Sequence, residues 1–120
     1  MVDATPALHG LEGDPFDALA DPHRRTIVEL LRDGEQPVQH LADRLPISRP
    51  AVSRHLRVLK RAGLVTDRPE GTRRLYRLDG AGVEVVRRYV DEVWGDAIRR
   101  FTLFAENTAP TEPPPEETEP

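Results

Sequence analysis

Between Ser48 and Gly63 the chain carries Arg49, Arg54, Arg57, Lys60 and Arg61, and no acid stands among them. Wound at 3.6 residues per turn, these cations share one arc with Pro50 and Ser53. Ala51, Val52, His55, Leu56, Val58, Leu59 and Ala62 fill the opposite arc. Helices that merely face water mix their charge signs, whereas an arc of cations alone suits a polyanion. A guanidinium can bond bidentately to guanine O6 and N7, and one α-helix fits the major groove of duplex DNA. Side chains near the N-terminus of such a helix reach base edges best. Arg49, Ser53, Arg54 and Arg57 are therefore the candidate base readers, with Pro50 placed to touch a thymine methyl. Ser48, Lys60 and Arg61 are candidates for phosphate, which holds register without reading sequence. Gln39 and Arg44 upstream, and Arg68, Arg73 and Arg74 around Pro69 and Gly71 downstream, complete the phosphate set. Alternation along a strand turns Arg73 and Arg74 to opposite faces, and Arg73 is the one assigned to DNA.

Other chemistries find less support. There is no cysteine, which excludes disulfides, thiolate metal sites and cysteine nucleophiles. His9, His23, His40 and His55 stand at no ligand-pair spacing, and His40 and His55 are expected at the edge of a core. Asp91, Glu92 and Asp96 read as the solvated side of one helix. No Ser-His-Asp constellation and no phosphate-cradling glycine loop is visible, so neither an enzyme nor a metal or cofactor site is expected.

The elements that must hold the cationic arc follow from capping and periodicity. Asp14-Pro15 predicts a short helix with Phe16, Leu19 and Ala20 as its apolar side. Asp21-Pro22 predicts a second, with Ile27, Val28, Leu30 and Leu31 buried and Asp33-Gly34 as its end. Gln36-Pro37-Val38 reads as an extended connector, and Gln39–Leu45 as a brief helix with Leu41, Ala42 and Leu45 inward. Pro46 forces a tight turn of about three residues, and the cationic helix follows, capped by Ser48 and stopped by Gly63. The period then falls to two. Leu64–Thr66 and Arg73–Leu78 predict a β-hairpin joined by a loop over 67–72. A helix from Ala81 to Ala105 carries Val83, Val86, Val90, Val93, Ala97, Phe101 and Phe104 at spacings of three and four, with Trp94 and Ile98 beside them. Such a helix is about 38 Å long, more than so small a core can cover. A second copy of the chain is the simplest partner for the surplus.

At 120 residues the chain has room for one modest core. Its net charge of −4 hides a strong asymmetry. Residues 44–88 hold twelve basic residues against four acidic ones, while residues 107–120 hold four glutamates, five prolines and no base. The expected organisation is a flexible lead-in over 1–13, one domain over 14–106 and a disordered acidic tail over 107–120. No apolar run approaches the ~20 residues of a membrane span, and no basic-plus-apolar leader is visible, so the expected location is the cytoplasm.

Several strings in this order look familiar: Asp21-Pro22-His23-Arg24-Arg25, Ser48 through Leu59, Ala62-Gly63-Leu64-Val65, and Gly71-Thr72-Arg73-Arg74-Leu75-Tyr76. Over roughly residues 14–105 the chain resembles the ArsR/SmtB family of bacterial repressors. The resemblance implies a mainly α fold with a small β-hairpin, a winged helix-turn-helix. It also implies a homodimer formed through the first and last helices, inverted-repeat DNA operators, and frequent control of the repressor's own promoter. By that resemblance residues 48–61 are the recognition helix and Pro69 to Arg74 the wing. The dimer interface takes in Phe16, Leu19, Val90, Val93, Trp94, Ala97, Phe101 and Phe104. Classical members sense metals through cysteines or through carboxylate and histidine pairs on the last helix; this chain lacks both and resembles the branch that does not sense metals. Two other readings use the same residues, a metal-responsive repressor of that family and a winged-helix module for protein or RNA. The missing ligands weigh against the first, and the acid-free arc against the second.

Overall fold

An aspartate-proline pair opens each of the first two helices. In the computed structural model, which describes residues 11–108, Asp14 caps α1 (Pro15–Ala18) and Asp21 caps α2 (Pro22–Leu30). The Asp21 carboxylate accepts from the backbone N–H groups of His23 and Arg24 at 2.8 and 3.2 Å, and Pro22 occupies a first-turn position that needs no N–H. There follow β1 (Gln36–Pro37), α3 (Val38–Ala42), α4 (Arg49–Arg61), β2 (Val65–Glu70), β3 (Arg73–Leu78) and α5 (Gly80–Thr108). The three strands form one antiparallel sheet in the order β1-β3-β2.

The core gathers on the apolar arc of α4. Val52, Leu56, Leu59 and Ala62 are wholly buried, packed with Ile27 and Leu31, with Leu41 and Leu45, and with Val65 of β2. Full burial of one such aliphatic side chain stabilises the fold by about 1.5–3 kcal/mol, so this arc anchors α4 and leaves the other arc to solvent.

Several expectations are corrected. In α1 the buried residues are Pro15 and Ala18, while Phe16 and Ala20 are exposed, because the helix is one turn long and presents only one side to α4. The helix expected over Gln39–Leu45 ends at Ala42; Arg44 and Leu45 donate to the carbonyls three residues back, tightening the chain into a six-residue turn over 43–48. The expected loop over 67–72 is mostly strand, and only Gly71 and Thr72 turn. Gly71 has φ +65°, the sign that two-residue hairpin turns need at their first centre. Pro69 is accommodated inside β2 because that strand lies at the sheet edge. The expected connector at Gln36–Pro37 is a third strand, paired with Tyr76 and Leu75.

At the start of α5 the buried valine is Val85, and Val83 of the expected stripe is exposed. The cause is a close approach: the Gly82 N–H donates to the Gly63 carbonyl at 2.7 Å, and a Cβ on Gly82 would lie 2.3 Å from the Ala62 oxygen. Val85, one turn on, shares that inward face. The helix outruns its expected end at Ala105 and continues to Thr108, the last described residue, whose hydroxyl donates to the Phe104 carbonyl at 2.7 Å. Of the expected lead-in, Gly13 is held by donation to the Arg61 carbonyl at 2.9 Å. Residues 1–10 and 109–120, the rest of the lead-in and tail, lie outside the described residues.

By its backbone contacts the chain groups into two compact units, one running to Tyr89 and one starting at Val90. The first holds all the smaller elements and the core. Among the described residues the second is the remainder of α5.

Candidate nucleic-acid interface

Local sequence fixes both ends of α4. Ser48 Oγ accepts the Ala51 N–H at 3.2 Å, leaving its own proton free to donate outward. At the other end the Gly63 N–H bonds to Lys60 O and the Leu64 N–H to Leu59 O, with Gly63 at φ +72°. This Schellman stop turns the chain directly into β2.

The structure sorts the predicted cations by what already holds them. The side chains of Arg44, Arg54, Arg57 and Arg61 are exposed and make no hydrogen bond or ion pair with a described residue. Arg49 donates to Gln39 Oε1 at 3.1 Å, and Gln39 in turn donates to Asp43, so Gln39 positions a base-reading candidate instead of standing free for phosphate. Lys60 and Arg74 both bind Asp67, at 2.8 and 2.5 Å. Arg68 forms a two-bonded pair with Glu35, each bond 2.9 Å, and that contact holds the Glu35 carboxyl below the usual carboxylate range. Arg73 pairs with Glu70 at 3.0 Å, both side chains open to water. Such an exposed pair is worth at most ~1 kcal/mol and yields readily to a phosphate.

Two clefts flank α4. One, of about 390 Å³, lies between α4 and the hairpin and is lined by Gln39, His40, Arg49, Ser53, Thr72, Arg73, Arg74 and Tyr76. It brings two predicted base readers together with two predicted wing residues. His40, expected at a core edge, is exposed here because α3 is too short to carry it inward. The other, of about 520 Å³, is lined by Arg57, Lys60 and Arg61 with Leu11, Glu12, Gly63, Asp79 and Ala81. Arg54 and Pro50 line neither and face outward.

Behind α4, His55 is half-buried as expected, and it meets residues far off in sequence. Arg24 donates from Nε to Ala18 O at 2.7 Å and lies 3.3 Å from His55 Nδ1, tying the end of α1 to the middle of α4. Burial pushes the His55 imidazole below its ordinary value; Arg24, His23 and Arg54 add to this, and Asp21 opposes it. Asp21, His23 and His55 offer ligand atoms within 4.8 Å of one another, a grouping that sequence spacing does not show because α2 and α4 supply it jointly. The Arg24 guanidinium, 4.0 Å from Asp21 Oδ2, already places a cation beside that group.

Of the predicted dimer residues in the first unit, Phe16 is exposed and meets Tyr89 edge-on at 5.1 Å, and Leu19 is half-buried. In the second unit Val93, Trp94, Ala97, Phe101 and Phe104 are exposed and Val90 half-buried, with Phe101 reaching 71%. Leu103, outside the predicted stripe, is exposed as well. The predictions also missed Asp67 and Glu35. Asp67 was findable, since hairpin pairing sets acids Asp67 and Glu70 against a strand rich in arginine. Glu35 was not, because it reaches Arg68 across 33 residues.

A short helix, a turn, a second helix with an acid-free outer arc and a strand pair flanking it define a winged helix-turn-helix. The model of the bacterial regulatory protein, arsR family, matches residues 21–67. The chain is 54% identical over 92 residues to the HTH-type transcriptional regulator Rv2034 of Mycobacterium tuberculosis, covering 77% of this chain and 86% of that protein. It is 38% identical over 64 residues to the transcriptional repressor SdpR of Bacillus subtilis, covering 53% and 71%. Among solved structures it is similar to the homodimeric winged helix-turn-helix DNA-binding domain Mb0332 of Mycobacterium bovis, a possible ArsR-family regulator. That match has 30% identity, a TM-score of 0.54, and covers 82% of this chain and 83% of that one. The chain belongs to the ArsR family of bacterial regulatory proteins.

Proposed function

We propose that this protein is a transcriptional repressor that binds inverted-repeat operators in duplex DNA as a homodimer. The observation that carries the reading is the cleft in which Arg49 and Ser53 of α4 face Arg73 and Arg74 of the hairpin. Arg49, Pro50, Ser53, Arg54 and Arg57 read bases from the major groove, while Arg44, Arg61 and Arg73 hold phosphate. Repression is supported by the similarity to the transcriptional repressor SdpR. Dimerisation is supported by the exposed apolar face of α5 and by the similarity to a homodimeric domain. Residues 14–106 carry both surfaces. No described helix is long and apolar enough to cross a membrane, and binding to operator DNA as read above supports the cytoplasm as the site of action. Selection from a random duplex library tests the reading: enrichment of a two-fold symmetric site supports it, and failure to enrich any duplex overturns it.

A further inference from the structure

Asp67 lies on β2 with only 4% of its side chain exposed, and it is held from two elements at once. Lys60 Nζ, in the last turn of α4, donates to Oδ1 at 2.8 Å, and Arg74 Nε, on β3, donates to Oδ2 at 2.5 Å. Burial alone would push this carboxyl up, but the bonds from Lys60 and Arg74 outweigh it and keep the group charged. In register Asp67 stands opposite Tyr76, the third of six pairs from the base of the hairpin, where a small rotation is amplified toward Gly71. The only covalent link between α4 and β2 is the short segment 62–64. The buried carboxylate of β2 therefore ties the strands that carry Arg73 to the base-reading helix through Lys60, and braces β2 against β3 through Arg74.

We propose that Asp67 is a positioning residue for operator recognition, clamping the hairpin to α4 through Lys60 and bracing β2 against β3 through Arg74, while keeping both cations from phosphate. The proposal rests on the DNA-reading function above. It makes a prediction opposite to simple charge counting. Removing an acid beside a polyanion should tighten binding to every duplex alike. A lost clamp instead tightens only the unspecific part, because two cations per protomer are released while the hairpin no longer holds its angle.

The test is Asp67→Asn, close in shape, measured against the selected operator and against a scrambled duplex over a range of salt. We expect binding to the scrambled duplex to gain salt dependence, its slope steepening by up to about 4 for a dimer. The ratio of operator to scrambled affinity should fall at least about tenfold. Circular dichroism establishes that the variant is folded. Lys60→Gln, altering a half-exposed side chain, cuts only the arm that reaches α4 and should lower the ratio without steepening the slope. Asp67→Glu, which keeps the charge, should recover part of the ratio. An unchanged ratio in folded Asp67→Asn and Lys60→Gln overturns the clamp. A wild-type protein that fails to separate operator from scrambled duplex overturns the DNA-reading function itself.

Discussion

The salt dependence of binding can be worked from the ion pairs. Six cations per protomer were candidates for phosphate by sequence: Arg44, Lys60, Arg61, Arg68, Arg73 and Arg74. Lys60 and Arg74 are held by a carboxylate with 4% side-chain exposure, and Arg68 by two bonds from Glu35. Arg44 and Arg61 have no such partner, and the Arg73–Glu70 pair is open enough to exchange. A dimer thus offers roughly six phosphate contacts, a slope near −5 in log affinity against log salt, and about a 1,000-fold loss between ~50 and ~200 mM. Were all six cations free on each protomer, the slope would approach about −11 and the loss would exceed about a millionfold. Fluorescence anisotropy with a labelled operator, at constant pH and fixed anion, measures the slope directly. A slope steeper than about −8 would refute the withholding of paired cations, and one shallower than about −1 would refute phosphate contact altogether.

Three further outcomes are expected. Arg54→Ala removes an exposed guanidinium without a structural partner, so it should leave the melting temperature unchanged, cost about 1–3 kcal/mol in operator binding and relax preference at one base pair per half-site; repeating the duplex selection with the variant checks this. Phe101→Glu, at 71% exposure, should give a folded monomer by light scattering with helical circular dichroism retained, whereas an undiminished dimer would contradict an α5 interface. Since burial holds His55 below its ordinary value, the unfolded chain takes up the proton first as pH falls. Stability is therefore full above about pH 6.5 and declines below it. The acids with lowered values, Asp21, Glu35, Asp67 and Glu84, titrate lower still and leave that window to His55. A melting temperature that fails to drop between pH 7.5 and 5.5, or drops equally in His55→Gln, would contradict this.

What could be read from the sequence tracks the range of the interaction that decides it. The apolar and cationic arcs of α4, its Ser48 cap and its Gly63 stop depend on neighbours within four residues, and the structure keeps all of them. Errors arose where a distant backbone intervened. Val85 displaced Val83 inside because Gly82 docks on Gly63, and β1 became a strand because β3 offered it an edge. The candidate site divides in the same way. Which residues are cations was plain, but which cations are spoken for depends on Asp67 and Glu35, whose partners come from other elements. The Asp21–His23–His55 group, joined only when α2 packs on α4, was equally hidden.

The central claim is that α4 reads bases in the major groove from two symmetric positions. Methylation interference at guanine N7 on the selected operator tests it most directly, because N7 lies on the major-groove edge that an arginine would contact. Interference is expected at guanines in two half-sites related by two-fold symmetry and separated by about one helical turn or a multiple of it, with at least one position silent in Arg54→Ala. Interference confined to minor-groove adenine N3, or a single unsymmetrical patch that Arg54→Ala leaves intact, would contradict it.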